Sequence, residues 1–447
     1  MPKDFYATRS TAWWKVAIAM IGSCLSAATY VSVTGMPRDV GWGYLQMCLG
    51  FILGYLVIAF VLSPLYFRLN VTSVYEYLDG RFGVSSHKTG AWFFFVSKLL
   101  GGSVRLFVMI FILQRLVFGP LQVPLWVTTL GIVALEWLYT VRGGVKAVLT
   151  LDIIKTVVML AAVVLCLVII IVEVGAPDRS LMRVFYFDDV NHPQFFFKQL
   201  LGGFFTVIAC TGMDQDMMQR TLACKNVRDS QKNLILSIFL QTIFIVLFLL
   251  LGVYLYMYAS AHGISVAKSD EVFAAVTWSG QMPLSALVAG LFIVGLVMAG
   301  FPSGGSALTA LTTSFTIDIL GGKEKYRKWV HTGIAALMAV CIVVFNAFNS
   351  TSLIDAIYRL ASYTYGPILG LFTFGLLFKR KVRDRWVPLA CILAPILCLV
   401  LDLNSVAWFG GYKFSYELLP LNAVFTMIGL WALSCHSERS EESPENK

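Results

Sequence analysis

The sequence predicts an all-α membrane protein with about twelve transmembrane helices, and three observations carry that prediction. Of 447 residues, 58% are hydrophobic and 13% charged, too little polar surface for a water-soluble chain of this length. A bilayer is crossed by about 20 consecutive apolar residues in a helix, and such runs recur from end to end. The cationic residues, finally, gather in alternate connections instead of on one face, so the net charge of +9 follows membrane topology and does not mark a nucleic-acid surface.

Taken in order, the apolar runs lie near 12–36, 42–67, 89–118, 122–141, 147–173, 197–218, 232–260, 284–318, 327–347, 353–378, 386–402 and 416–435. Inner connections collect Arg68, Arg81, Lys88, Arg142, Lys146, Arg220, Lys225 and the run Lys379 to Arg385, whereas outer ones hold few cations, such as Arg38 and Lys268. That asymmetry places both chain ends in the cytoplasm. Residues 1–11 read as a polar cytoplasmic segment with no cleavable signal, 12–435 as one membrane domain, and 436–447 as a disordered cytoplasmic tail. The cysteines sit in apolar spans or at their inner ends, where no extracellular disulfide is expected.

Polar interruptions single out a few spans. The first carries Gly22-Ser-Cys-Leu-Ser-Ala-Ala-Thr29 and ends at Gly35-Met-Pro37; the sixth carries Cys210-Thr-Gly-Met-Asp-Gln-Asp216. Paired interruptions five helices apart point to a midplane site in inverted-repeat transporters, although small-residue helix packing would explain either alone. In the eighth span, small and hydroxyl residues crowd Gly300 to Asp318, and polar groups there must line a cavity, a helix contact or an ion site. An enzyme finds little support. The five histidines show no metal-ligand spacing, and Ser303-Gly-Gly-Ser306 lacks the lysine and preceding strand of a phosphate loop.

Five motifs together resemble the sodium:solute symporter family: Thr72-Ser-Val-Tyr-Glu-Tyr-Leu-Asp-Gly-Arg-Phe82, Gly143-Gly-Val-Lys-Ala-Val-Leu-Thr-Leu-Asp152, Asp214-Gln-Asp-Met-Met-Gln-Arg220, Ser306-Ala-Leu-Thr309 through Asp318, and Tyr363-Thr-Tyr-Gly-Pro-Ile-Leu-Gly370. The wording of helices 1 to 3 is similar to that of uncharacterised members from Bacteroidetes-type bacteria. The resemblance implies a leucine-transporter-like fold, a five-plus-five inverted repeat of helices 1–5 and 6–10 followed by two C-terminal helices. The helix that usually precedes these in the family is expected to be absent.

It also implies sodium-coupled symport of a small polar or anionic organic solute by alternating access in a bacterial inner membrane. Sodium, the solute and the lipid bilayer are the expected partners, with no nucleic acid and no cofactor besides the coupling ion. Carried over by position, one sodium site would use the carbonyls of Leu25, Ala28 and Ala299 with the hydroxyl of Ser303, but Pro302 stands where the family has serine. A second would use Asp152 and Ser306, with Gly305 at a hydroxyl position.

Lys155 stands one turn after Asp152, where the family usually has glutamine. On one helix face the two could pair, or the lysine could serve as a tethered ammonium in place of sodium. Substrate candidates are Thr29, Gln46, Lys98, Arg105, Gln114, Asp214 and Gln215. Arg105 lies deep in an apolar span, where a guanidinium can grip a carboxylate or a structural acid. Asp216 and Arg220 are expected to gate the cytoplasmic mouth. The competing readings are a non-transporting solute sensor on the same scaffold and a sodium-independent transporter driven by protons or by Lys155.

Overall fold

The computed structural model describes residues 11–71, 73–348 and 353–434, so the expected tail and nearly all of the N-terminal segment lie outside the described residues. In chain order the main helices are α1 (Trp13–Cys24), α2 (Thr29–Val40), α3 (Tyr44–Leu69), α4 (Val84–Phe118), α5 (Leu125–Val174), α6 (Phe196–Gly212), α7 (Gln215–Thr221), α8 (Val227–Ala261), α9 (Ser285–Ile319), α10 (Glu324–Ala347), α11 (Ile357–Thr364), α12 (Gly366–Leu377), α13 (Asp384–Trp408) and α14 (Leu418–Ala432). Seven unbroken helices and three bent pairs among the described residues are long and apolar enough to cross a bilayer. The first arm of α5 and the shorter α14 complete the apolar set.

Why these runs become membrane helices is visible in α3. Leu49, Leu53, Leu56 and Phe60 are exposed at helical spacing, while Met47, Phe51, Tyr55, Ile58 and Leu62 are buried on the opposite side. One stripe faces lipid and the other faces the bundle, and both are apolar because neither meets water.

The bent pairs fall where the sequence is polar. α1 and α2 meet at 70°, and so do α6 and α7. Leu25 leaves the first helix with extended backbone. At the second break, the carboxylate of Asp214 accepts from the amides of Asp216 and Met217, capping α7 from inside the protein. The third pair, α11 and α12, bends by 46° at Gly366-Pro367, where proline removes a helical donor.

The long α5 is continuous helical backbone, yet it cannot be a rod. Glu136 and Tyr139 lie against Gly304 and Gly305 of α9, and Lys155 reaches Ser303 of that helix. Straight helix would set residues 136 and 155 roughly 28 Å apart, too far for both to reach adjacent residues of α9, so α5 bends between them and presents two arms to one stretch of that helix. These arms correspond to the separate spans expected at 122–141 and 147–173.

Close approach is bought with glycine. A Cβ on Gly22 of α1 would sit 2.5 Å from the Asp152 carbonyl and 2.7 Å from Thr156 Oγ1. Gly22→Val should therefore lower the thermal midpoint of the purified protein by the equivalent of about 1–3 kcal/mol. Gly290→Ala, facing open space, should leave it almost unmoved.

Candidate functional site

At the centre of the bundle, side chains from four helices form one buried charge network. Arg220 of α7 is 1% exposed. Its Nη2 donates to Asp152 Oδ2 of α5 at 3.0 Å and also to Ser306 Oγ of α9. Its Nη1 donates to the Asp216 carbonyl at 2.8 Å and pairs with Asp216 Oδ1, one turn earlier. Ser306 Oγ in turn donates to Asp216 Oδ1 at 2.8 Å. From α4, Lys98 Nζ lies 2.8 Å from Asp216 Oδ2 and 3.2 Å from Asp214 Oδ2, and Tyr365 donates to Asp214 Oδ2 at 2.5 Å.

Lys155 stands beside this network. Its fully buried Nζ donates to Ser303 Oγ at 2.7 Å, and that hydroxyl donates to the Ala299 carbonyl at 3.0 Å. Lys98, Lys155 and Arg220 balance Asp152, Asp214 and Asp216, three charges of each sign, as a low-dielectric interior requires.

Arg105 is outside that balance. It makes no hydrogen bond or ion pair among the described residues, and it lines a cavity of about 50 Å³ together with Ser97, Lys98, Asp214, Tyr358 and Tyr365. That volume is the size of a few waters.

The family model of the sodium:solute symporter family matches residues 5–384. The chain belongs to that family. The sodium/sialic acid symporter NanT of Aliivibrio fischeri is 24% identical, over 88% of this chain and 79% of its own length. The sodium/glucose cotransporter of Vibrio parahaemolyticus is also 24% identical, over 99% of this chain and 86% of its own. Sodium-coupled monocarboxylate transporter 1 of Xenopus laevis is 26% identical over 84% of this chain, which spans 63% of that longer protein.

The substrate-bound, outward-open structure of a Na+-coupled sialic acid symporter superposes with a TM-score of 0.76 at 19% identity, covering 96% of this chain and 90% of that one. MhsT in complex with L-phenylalanine superposes at 0.57 with 14% identity, covering 96% and 99%. These likenesses establish a leucine-transporter-like fold. The symporter is thus a multi-pass, sodium-coupled membrane transporter and not an enzyme.

In the symporter, the positions carried over for sodium meet protein-borne cations. Ser303 binds Lys155, and Asp152 and Ser306 bind Arg220. Leu25 and Ala28 flank the break between α1 and α2, and both are buried. Pro302 sits inside α9 without ending it.

Several expectations need correction. Lys155 does not pair with Asp152; among the described ion pairs the partner of Asp152 is Arg220, because the guanidinium reaches it from α7 while the lysine turns to Ser303. Asp216 and Arg220, expected at the cytoplasmic mouth, are both buried within the network. Gln46 is consumed by the Gly43 and Gln194 carbonyls and the Tyr186 amide. Gln114 donates to the Val123 carbonyl and accepts from Thr128, so it braces the end of α4 away from the cavity. Gln215 accepts from the Val74 amide, and Thr29 Oγ1 accepts from the Ser26 amide at the helix break.

Two groups escaped sequence reasoning. Tyr365 lies within a family motif but shows no charge. Glu136 had a signal, a lone carboxylate in Ile132-Val-Ala-Leu-Glu-Trp137, and an ionisable residue inside a span is functional by default.

Proposed function

We propose that this symporter carries a small organic anion, by alternating access across a bacterial inner membrane with both chain ends in the cytoplasm. The observation that carries the reading is Arg105, a guanidinium with no ion pair among the described residues at the edge of a cavity in an otherwise charge-balanced interior. A carboxylate would complete it by bidentate hydrogen bonds. Two of the relatives are named for sialic acid and monocarboxylates, both solutes that bear that group.

Small carboxylates, matched against neutral sugars, should raise the thermal midpoint of the purified protein by mass action. The rise should be larger in sodium than in choline at equal ionic strength. Stabilisation by sugars alone would refute the anion reading.

One distance favours a second reading of the coupling. With Lys155 Nζ 2.7 Å from Ser303 Oγ, the ammonium stands in for the ion at that position. Carboxylate stabilisation would then depend on sodium more strongly in Lys155→Gln than in the wild type. Unchanged ion dependence in the variant would sink it.

A further inference from the structure

Glu136 presents a different chemistry from the charge network. It lies on the first arm of α5, in a stripe of buried residues Thr129, Val133, Glu136 and Thr140 that faces the bundle, while Leu135 and Leu138 beside it are exposed on the lipid side. Its side chain is 0% exposed, and neither carboxyl oxygen has a hydrogen-bond partner among the described residues. The carboxyl rests on α9 where that helix has no side chain: a Cβ on Gly304 would fall on Glu136 Oε1 and Oε2. One turn along, the hydroxyl of Tyr139 is likewise without a partner among the described residues and occupies the space a Cβ on Gly305 would need. The two glycines of Ser303-Gly-Gly-Ser306 thus form a seat for an acid and a phenol.

A bare carboxylate in that seat would carry an unpaired charge inside a bilayer, which costs far more than binding one proton. Among the described residues, no cation pairs with it. α9 offers only glycine backbone at the contact. From α10, His331 is engaged by Thr140 and Thr312. Asp152 on the second arm of α5 and Arg220 on α7 interact electrostatically with Tyr139 and are committed to each other at 3.0 Å. A sodium ion would need several converging oxygens, whereas a proton needs none beyond the carboxyl itself.

We infer that Glu136 is a proton-binding site of this transporter, holding its proton while α5 and α9 are packed together and exchanging it when they part. On separation, water enters the seat, the carboxyl O–H bond breaks, the proton passes to that water, and the carboxylate left behind is solvated. Repacking reverses the step. The inference goes beyond the solute and sodium assignments and depends on neither.

Infrared spectroscopy of the full-length protein in lipid tests it. In sodium-free buffer at neutral pH, the wild-type minus Glu136→Gln difference spectrum should show the high-frequency carbonyl stretch of a carboxylic acid without hydrogen bonds, shifted in deuterium oxide. Glu136→Asp, which keeps an acid, should retain such a band. Absence of the band from the difference spectrum would overturn the proposal. So would its loss on adding sodium at constant pH, which would make the site one for sodium instead.

Discussion

Arg220→Met should prevent the protein from accumulating in folded form, the largest effect expected of any single substitution here. Arg220 serves Asp152, Asp216 and Ser306 together from a position 1% exposed. Removing one partner of a buried ion pair costs about 3–5 kcal/mol, because the other charge is left uncompensated. Here two carboxylates lose their guanidinium at once, and the network changes from three cations against three anions to two against three. Asp216 keeps Lys98 at 2.8 Å, whereas Asp152 has no other ion pair among the described residues. Adding Asp152→Asn and Asp216→Asn to the methionine variant should recover most of the folded yield, measured by size-exclusion chromatography of the detergent-solubilised protein. If the single variant is as monodisperse and heat-resistant as wild type, the network is not what holds α5, α7 and α9 together.

Arg105→Gln should do the reverse, weakening anion binding while leaving the fold intact. Since this guanidinium makes no hydrogen bond or ion pair among the described residues, its removal breaks nothing in the solute-free state. In the bound state it would leave a carboxylate buried and unpaired, a loss of about 2 kcal/mol or more, roughly 30-fold or more in Kd. Thermal titration with whichever small carboxylate stabilises the wild type gives both numbers from one experiment. The midpoint without ligand should match wild type, and the ligand-dependent rise should shrink and need roughly 30-fold more ligand or more. A rise of equal size in the variant would remove Arg105 from the solute site.

Much of the architecture was legible in the sequence, because hydrophobic run length is a local property and the bilayer imposes it on every span. The breaks between α1 and α2 and between α6 and α7 were legible too, since Gly22 to Thr29 and Cys210 to Asp216 place polar atoms where a lipid-facing helix could not. Partnership was not. Asp152 and Lys155 share a helix face, so spacing suggested that they pair, but which acid a cation serves depends on what neighbouring helices bring, and α7 brought Arg220. Gln46 and Gln114 stood among the candidate solute contacts, and sequence could not tell that neighbouring backbone and Thr128 would engage them. Glu136 was overlooked for the opposite reason, having no companion motif to draw attention to it.

The bend in α5 has a mechanical consequence. Its two arms grip one short stretch of α9, with Lys155 on Ser303 and Glu136 on Gly304, so consecutive residues of one helix hold an ammonium group and an acid. A tilt or slide of α9 cannot disturb one hold without straining the other. The segment behaves as a latch with two catches on one bolt: whatever releases the first loosens the second within the same stroke. Timing between the ammonium group and the acid is therefore built into the length of a single peptide unit.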